Sequence, residues 1–506
     1  MKLQEMSHDM NVLKIIAFGF LICLGQYALS QSSKHRLVIL ADMGNEPDEE
    51  QQMAHMLMCS NEFDLEGLIA VSGKYLHNQH RLVERQRLYP DLFENLINGY
   101  EQVFENLKIH AKGYPEPAYL RTIVAPGQPG YGMGDVGEGK STKGSELLIE
   151  IFKKKDSRLI YIVVNAGSNT LAQALNDFKA SHSAVALKKI LNKLRVFENG
   201  AQDNAGAWIC AHYPEIHWTR SNYQTYAYGG PAWAWGNDPD ADKKGPHTWK
   251  PYAYNATGQH QWALEHIKNH GALGRLFPLR QTPTGRLAFI EGGGTIPWLG
   301  LMHQGLSDIS QPSWGGWSGR FSEKPIKNVP SRHESVRADE VTYGDYYLYT
   351  EVSDEWKDPE TKEIYNSIYT PVWRWRQAYY NDFQCRMDWC IESYENANHH
   401  PVAAINSDKT EKIHFIQAAA GEVMSLDASA SFDPDGDNIT FKWWVYNEAG
   451  TYTGNSKIIK HPSKAITEIT VPEDASGKTI HIILEIEDNN KIASLHDYRR
   501  IVLSVE

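Results

Sequence analysis

The chain is poor in the features that would place it in several common functional classes. It has only 5 cysteines in 506 residues, too few for a disulfide-stapled secreted scaffold. Cys23 lies in the leader region. Cys59 and Cys210 fall in helical apolar patterns and read as buried thiols. Cys385 and Cys390 are near in sequence, but a helical five-residue spacing points their side chains apart. No His-Glu-x-x-His or tight His pair marks a transition-metal site, and His303 reads as a packing or capping residue. Basic charge is also lacking. Lys and Arg total 50 against 62 Asp and Glu, a formal net charge of -12, which argues against a nucleic-acid partner. After the first thirty residues no apolar run is long enough to span a bilayer, so no stable membrane anchor is expected.

The apolar run that does occur is N-terminal. Lys14 precedes Ile15 to Leu24, and Ala28 and Ser30 form an Ala-x-Ser cleavage pattern before Gln31. Met10 is the better candidate start, because Lys14 then supplies the positive lead. Residues 1–30 therefore read as a signal peptide, with an exported, periplasmic or extracellular, mature chain.

Beyond the leader, texture divides the chain. Leu37–Leu40, Leu65–Val71, Leu159–Val164 and Leu194–Phe197 are short apolar runs of the kind expected for buried parallel strands. Helical patterns follow at Glu46–Cys59, Thr170–Phe178 and Ala205–Ala211; the first opens with Pro47 and carboxylates, as helix starts do. Alternating strand and helix imply right-handed βαβ units in an α/β, mostly parallel sheet. Residues 221–260, crowded with Pro, Gly and aromatics including Trp233, Trp235 and Trp249, read as a long excursion. Pro371–Glu395 is helix-like. After His400 short alternating strands and turn clusters such as Asp433–Asp437 indicate an all-β sandwich. The expected domains are 31–400 and 403–506.

Polar groups collect where the strands end. Asp42, Glu46, Asp48, Glu49 and Glu50 crowd into nine residues after the first strand. They suit a hard divalent ion such as Ca²⁺, and equally an acid-rich first helical turn with no metal. Asn165, Ser168, Asn169 and Thr170 follow the third strand; Glu198, Asn199, Gln202, Asp203 and Asn204 follow the fourth. Each group alone is an ordinary cap or turn. Their recurrence at strand ends that a parallel sheet brings to one edge points to a shared site. Trp314 and Trp317, in a Gly-rich loop, fit either core packing or stacking on a sugar.

The stretches Ala41–Glu49 and Ser60–Ala70, with Asn169–Leu175, Gln202–Ile209, Trp314–Arg320 and Asn381–Trp389, resemble nucleoside-hydrolase-like proteins of the cellulose-binding group. The likeness runs in order from about His35 to Pro401. The segment Leu426–Asp437 resembles the opening of polycystic-kidney-disease-type, immunoglobulin-like modules. The resemblance implies a nucleoside-hydrolase-type sheet followed by an immunoglobulin-like sandwich. It further implies Asp42, Asp48 and Glu49 as Ca²⁺ ligands with a main-chain carbonyl near Asn169. Asp42 and Asp48 would be the catalytic carboxylates. Asn165, Gln202, Asp203, Asn204, Glu291, Trp314 and Trp317 would contact a carbohydrate or nucleoside-like substrate. Two departures stand out. The acid spacing is looser than Asp-x-Asp-x-Gly-x-Asp-Asp, and the block Glu291-Gly-Gly-Gly-Thr-Ile-Pro297 has glycines where an acidic ligand is expected. Two functions stay open: a hydrolase of glycosidic bonds, and a non-catalytic cellulose- or other polysaccharide-binding protein on the same fold.

Overall fold

β1 (His35–Ala41) is an interior strand of an eight-stranded sheet in a computed structural model that describes residues 34–228, 262–281, 288–290, 292–359 and 362–506. The expected leader, the part of the 221–260 excursion beyond Tyr228, and Glu291 lie outside the described residues. The chain continues through α1 (Pro47–Met58), β2 (Phe63–Ala70), α2 (Pro90–His110) and β3 (Val124–Pro126). It then runs through α3 (Lys143–Lys153), β4 (Ile160–Val164), α4 (Asn169–Ser181), β5 (Leu194–Asn199), α5 (Ala205–His212) and β6 (His217–Ser221). Two later strands, β7 (Ile326–Lys327) and β8 (Tyr347–Thr350), complete the sheet.

The strand order is β3-β2-β1-β4-β5-β6-β8-β7. The β1–β4, β4–β5, β5–β6, β6–β8 and β2–β3 pairs are parallel, and only the edge pair β8–β7 is recorded as antiparallel. Leu37, Val38, Ile39 and Leu40 are fully buried, as are Ile160, Ile162, Val163 and Val164. Helices cover both faces, so these strands are continuous apolar runs rather than alternating ones. The chain winds from β1 outward to β3, then returns to the other side of β1 with β4. That reversal opens a crevice at the carboxyl ends of β1 and β4, the place where open α/β sheets bind ligands.

Most sequence expectations for helices and strands hold within a residue or two. The Pro371–Glu395 region contains α6 (Arg376–Asp388), preceded by a short helical turn. Cys385 and Cys390 are both free and buried, as are Cys59 and Cys210. No helix among the described residues is long and apolar enough to cross a membrane.

The C-terminal region is β-rich. β9 (His414–Ala418), β11 (Ile439–Val445), β13 (Thr479–Asp488) and β14 (His496–Val505) form one sheet in the order β9-β14-β13-β11; β10 (Val423–Asp427) and β12 (Ile466–Thr470) form a second. Trp443, Leu426, Ile469, Ile482 and Leu503 are buried together between them. Its other side is buried against the α/β part: Tyr446, Ile483 and Tyr498 belong to the same core as Trp317, Trp375 and Tyr379. Arg500, fully buried, donates to the main-chain oxygens of Leu306 at 2.6 Å and Gly315 at 3.0 Å. Asp382 on α6 takes hydrogen bonds from Arg386 and His400, tying the helix to the chain entering the sandwich.

Candidate functional site

The crevice at the β1/β4 reversal is a cleft of about 510 Å³, lined by carboxylates, amides and a few cations. Asp42 leaves β1 directly into a tight turn closed by Asn45 N–H to Asp42 O at 3.0 Å. Gly44 has φ +84°, and a Cβ there would sit 2.8 Å from the Tyr89 ring, so the turn needs glycine. Asn45 Nδ2 donates to Asp42 Oδ2 at 2.9 Å. The turn delivers the chain into α1 with Pro47 at its start and Asp48, Glu49 and Glu50 in its first turn. The acidic-turn reading is thus correct as local structure, and the same turn puts Asp42, Glu46 and Asp48 on the cleft wall.

Glu49 is buried beside them. Its Oε2 accepts from Asn165 Nδ2 at 3.2 Å, which joins the residue after β4 to the first turn of α1. Asn165 N–H also donates to Leu40 O at 2.9 Å, continuing the β1–β4 ladder one residue into the site. Burial, then Asp48 and Glu46, push the Asp42 carboxyl up to about 8. Burial, then Asp48 and Asp42, drive Glu49 well above the usual carboxylate range. Three side-chain oxygens of this neighbourhood, Asn45 Oδ1, Asn165 Oδ1 and Gln202 Oε1, are buried without a hydrogen-bond partner among the described residues. Carboxylate and amide oxygens are the donors a hard divalent cation takes, and unpartnered buried acceptors are costly without one.

The turn after β5 carries unusual backbone. Gly200 has φ +78° and Ala201 φ +49°. Ser331 Oγ spans the Gly200 and Ala201 carbonyls at 3.1 and 2.8 Å and pins the turn. Gln202 then lines the cleft, donating to Asn165 O at 3.4 Å. Asn199 lines it too, accepting from Thr225 Oγ1 at 2.8 Å. The glycine run is also placed by contact. A Cβ on Gly294 would meet Asn165 Nδ2 at 2.4 Å, and one on Gly292 would meet the Tyr228 ring at 2.6 Å. Glycine here lets the main chain close on Asn165, and Gly293 itself lines the cleft.

Several expected residues serve elsewhere. Asp203 is fully buried and accepts from the N–H groups of Ser168, Asn169 and Ala205 at 3.0, 3.1 and 2.9 Å, capping α4 and α5 together. Burial raises it to about 7. Asn204 accepts from Met133 N–H at 2.9 Å. Asn169 opens α4, so its carbonyl points along the helix, and its Nδ2 donates to Gly130 O at 2.8 Å. The structure does not bring these three to the cleft lining. Nor does it bring the tryptophans there. Trp317 is buried against His303, Tyr379 and Tyr498, while Trp314 packs on Phe415 and His481 of the sandwich. Trp317 is buried there, Trp314 is half-buried beside the C-terminal sheet, and neither lines the cleft. His303 joins that packing as expected.

Behind the cleft Glu198, at the end of β5, is fully buried. It accepts from Arg220 Nε at 2.6 Å, Trp218 Nε1 at 2.9 Å and Ser168 Oγ at 3.0 Å. It is a scaffold for the strand ends. Sequence reasoning missed Tyr75, Arg85, Thr225, Tyr226, Arg332 and His333, all on the cleft wall. Tyr75 follows β2 closely, so the strand-end rule reaches it; Arg332 and His333 sit in a late loop with no motif to mark them.

Residues 36–321 match the family described as cellulose-binding Sde182, nucleoside hydrolase-like domain; residues 423–505 match the cellulose-binding protein Sde0182 C-terminal domain. No curated protein matches the chain. Among solved structures, a nucleoside hydrolase-related hypothetical protein from Saccharophagus degradans, described as associated with carbohydrate metabolism, is 35% identical. That likeness covers 94% of this chain and 100% of that one, with a TM-score of 0.76. The effector protein XOO4466 is 9% identical over 63% of this chain and 87% of its own, with a TM-score of 0.31, too slight a likeness to bear on the fold. With more than half its length in the first match and the paired C-terminal domain in the second, this chain belongs to the Sde182 nucleoside hydrolase-like, cellulose-binding family.

Proposed function

We propose that the chain is an exported hydrolase that cleaves a glycosidic bond, N-glycosyl or a related sugar linkage, at a Ca²⁺ site formed by Asp42, Asp48 and Glu49. The observation that carries this reading is that Asp42 and Asp48 line one cleft with Asn45, Asn165 and Gln202, whose side-chain oxygens have no partner among the described residues, while Glu49 is buried beside them and bonded to Asn165. This donor set is all oxygen and partly anionic, which fits a hard divalent ion. A bound ion would supply Lewis acidity toward water and vicinal hydroxyls. Asp42, steadied by Asn45, accepts the proton of the attacking water; Asp48 offers the second carboxylate. Asn165 and Gln202 hydrogen-bond the sugar, and Tyr226 and Tyr75 exclude water from one side. The carbohydrate association of the Saccharophagus degradans relative and the family's cellulose-binding description support a sugar ligand. The leader-like residues 14–30 support export.

The decisive assay is released reducing sugar from a panel of nucleosides and plant-wall oligosaccharides, with and without Ca²⁺. Turnover abolished in Asp42→Ala with the fold intact supports the assignment; turnover retained in that variant places water activation elsewhere. The glycines at Gly292–Gly294, where an acid was expected, favour the alternative of a non-catalytic polysaccharide-binding protein. Tight, Ca²⁺-dependent sugar binding without any turnover would establish it.

A further inference from the structure

The cleft carries a second set of charged groups, on loops unrelated to the acidic turn. After β2 the chain bridges Gly73 to Leu76, which presents Lys74 and Tyr75. Arg85, on the same excursion, donates to Tyr75 O and Asn45 O, both at 3.4 Å. From the opposite direction in sequence come Arg332 and His333. Tyr75 OH and His333 Nδ1 are 3.1 Å apart, and Arg332 Nε donates to His333 Nε2 at 3.2 Å. His333 Nε2 is therefore an acceptor, so Nδ1 carries the hydrogen and donates to the phenol. Burial first, then the charges of Arg332 and Lys74, push His333 down to about 3.

Arg332 is held in place before any ligand arrives. Its Nη1 donates to Asn222 O at 3.1 Å, and its guanidinium lies 4.8 Å from the Tyr226 ring centroid. A Cβ on Gly200 would meet its Cζ at 2.7 Å, so the side chain lies against a backbone position that only glycine leaves open. Among the described residues Nη2 has no hydrogen-bond acceptor, on a residue that lines the cleft. Among the described residues none of Lys74, Arg85 and Arg332 makes an ion pair. A guanidinium fixed at two nitrogens with the third unengaged among the described residues is an arrangement that recognises carboxylate or phosphate oxygens.

We infer that the glycoside taken by this cleft carries an anionic group, a carboxylate or a phosphate, seated between Arg332 and Arg85. The inference rests on the sugar-binding, Ca²⁺-dependent reading above and names the substrate class for that site. A uronic acid and a sugar phosphate both present this chemistry.

The test is calorimetric titration of the full chain at saturating Ca²⁺ with matched pairs: methyl β-glucuronide against methyl β-glucoside, methyl α-galacturonide against methyl α-galactoside, and glucose 6-phosphate against glucose. The anionic member of at least one pair should bind roughly 10- to 100-fold tighter, the scale of a charged hydrogen-bonded contact. Arg332→Gln should bring that preference close to unity. Arg85→Gln, on a more exposed loop, should reduce it and guards against a folding defect in the first variant. Preference for the phosphate ester assigns phosphate, and preference for a uronide assigns carboxylate. Equal affinities within every pair, no binding of any member, or an undiminished preference in both variants overturns the inference. Sugar binding without anionic preference leaves the hydrolase reading standing. Anionic preference without released sugar supports the inference and removes the hydrolase reading.

Discussion

Removing the Glu198 carboxylate should destabilise the protein far more than removing any carboxylate on the cleft wall. Glu198 and Arg220 are both fully buried and 2.6 Å apart, and the same carboxylate takes hydrogen bonds from Trp218 and Ser168. Glu198→Ala leaves a guanidinium in the interior with Glu340, at 3.1 Å, and Val329 O as its remaining partners. Breaking a buried pair from one side costs about 3–5 kcal/mol. Glu340 holds the expected loss toward the lower figure. Glu198→Gln keeps the shape and some of the hydrogen bonds, and should lose about 2 kcal/mol. Against a total stability of about 5–15 kcal/mol, the alanine loss is large. Urea denaturation followed by tryptophan fluorescence reads it as a shift in midpoint, with Trp218 reporting locally. Because Glu198 lies behind the cleft, folded Glu198→Gln protein should keep its response to Ca²⁺. A loss below about 1 kcal/mol in Glu198→Ala would refute the view that this carboxylate braces the strand ends.

Other outcomes follow from single contacts. Gly294→Ala should press on Asn165 Nδ2 and weaken Ca²⁺ binding while costing about 1–3 kcal/mol of stability; unchanged affinity by calorimetry would show that the glycine is incidental. Trp317→Ala should cost about 3–5 kcal/mol in denaturation and leave sugar affinity unchanged, because the ring is core; lost affinity in a folded variant would restore the stacking role. Three groups should each contribute less stability to the metal-free protein as pH rises from 5 to 8, while buried histidines such as His333, pushed down by burial, act the other way. His400 is raised by Asp382, against the opposing effect of its own burial, so its contribution is complete below its unfolded value and lost as pH climbs through the native one. Asp203 and Glu411, each lifted to about 7 by burial, act in the same direction, since their penalties grow from the unfolded carboxylate range up to 7. The melting-temperature difference between wild type and Asp203→Asn at fixed ionic strength should fall as pH rises over that window, and a flat or rising difference contradicts this.

The sheet was legible because its strands are buried on both faces. Leu37–Leu40 and Ile160–Val164 are uninterrupted apolar runs, and each is followed by a polar turn and a helix pattern. The acidic turn was legible for the same reason: strand ends in a parallel sheet converge, so Asp42 and Asn165 meet without any long-range inference. Sequence spacing failed where a polar residue had two uses. Asp203, beside cleft-lining Gln202, turns inward to cap two helices, and nothing in the local pattern separates a cap from a ligand. Trp314 and Trp317 were ambiguous because a Gly-rich loop can serve a site or a junction, and only the docked sandwich, with Tyr498 and His481, decides between them. The cations at Arg85 and Arg332 come from loops whose folding back over the cleft depends on single contacts such as Tyr75 to His333.

Calcium titration of the wild-type protein and of Asp48→Asn tests the central claim most directly, by calorimetry paired with thermal unfolding. The wild type should bind one ion per chain, and at ~100 times the dissociation constant it should gain about 2.7 kcal/mol of stability. Asp48→Asn should lose that gain while its metal-free form is as stable as the wild type or more so, since a like charge has been removed from beside Asp42 and Glu49. No heat and no shift in the wild type at millimolar Ca²⁺ or Mg²⁺ would contradict a carboxylate metal site at the end of β1.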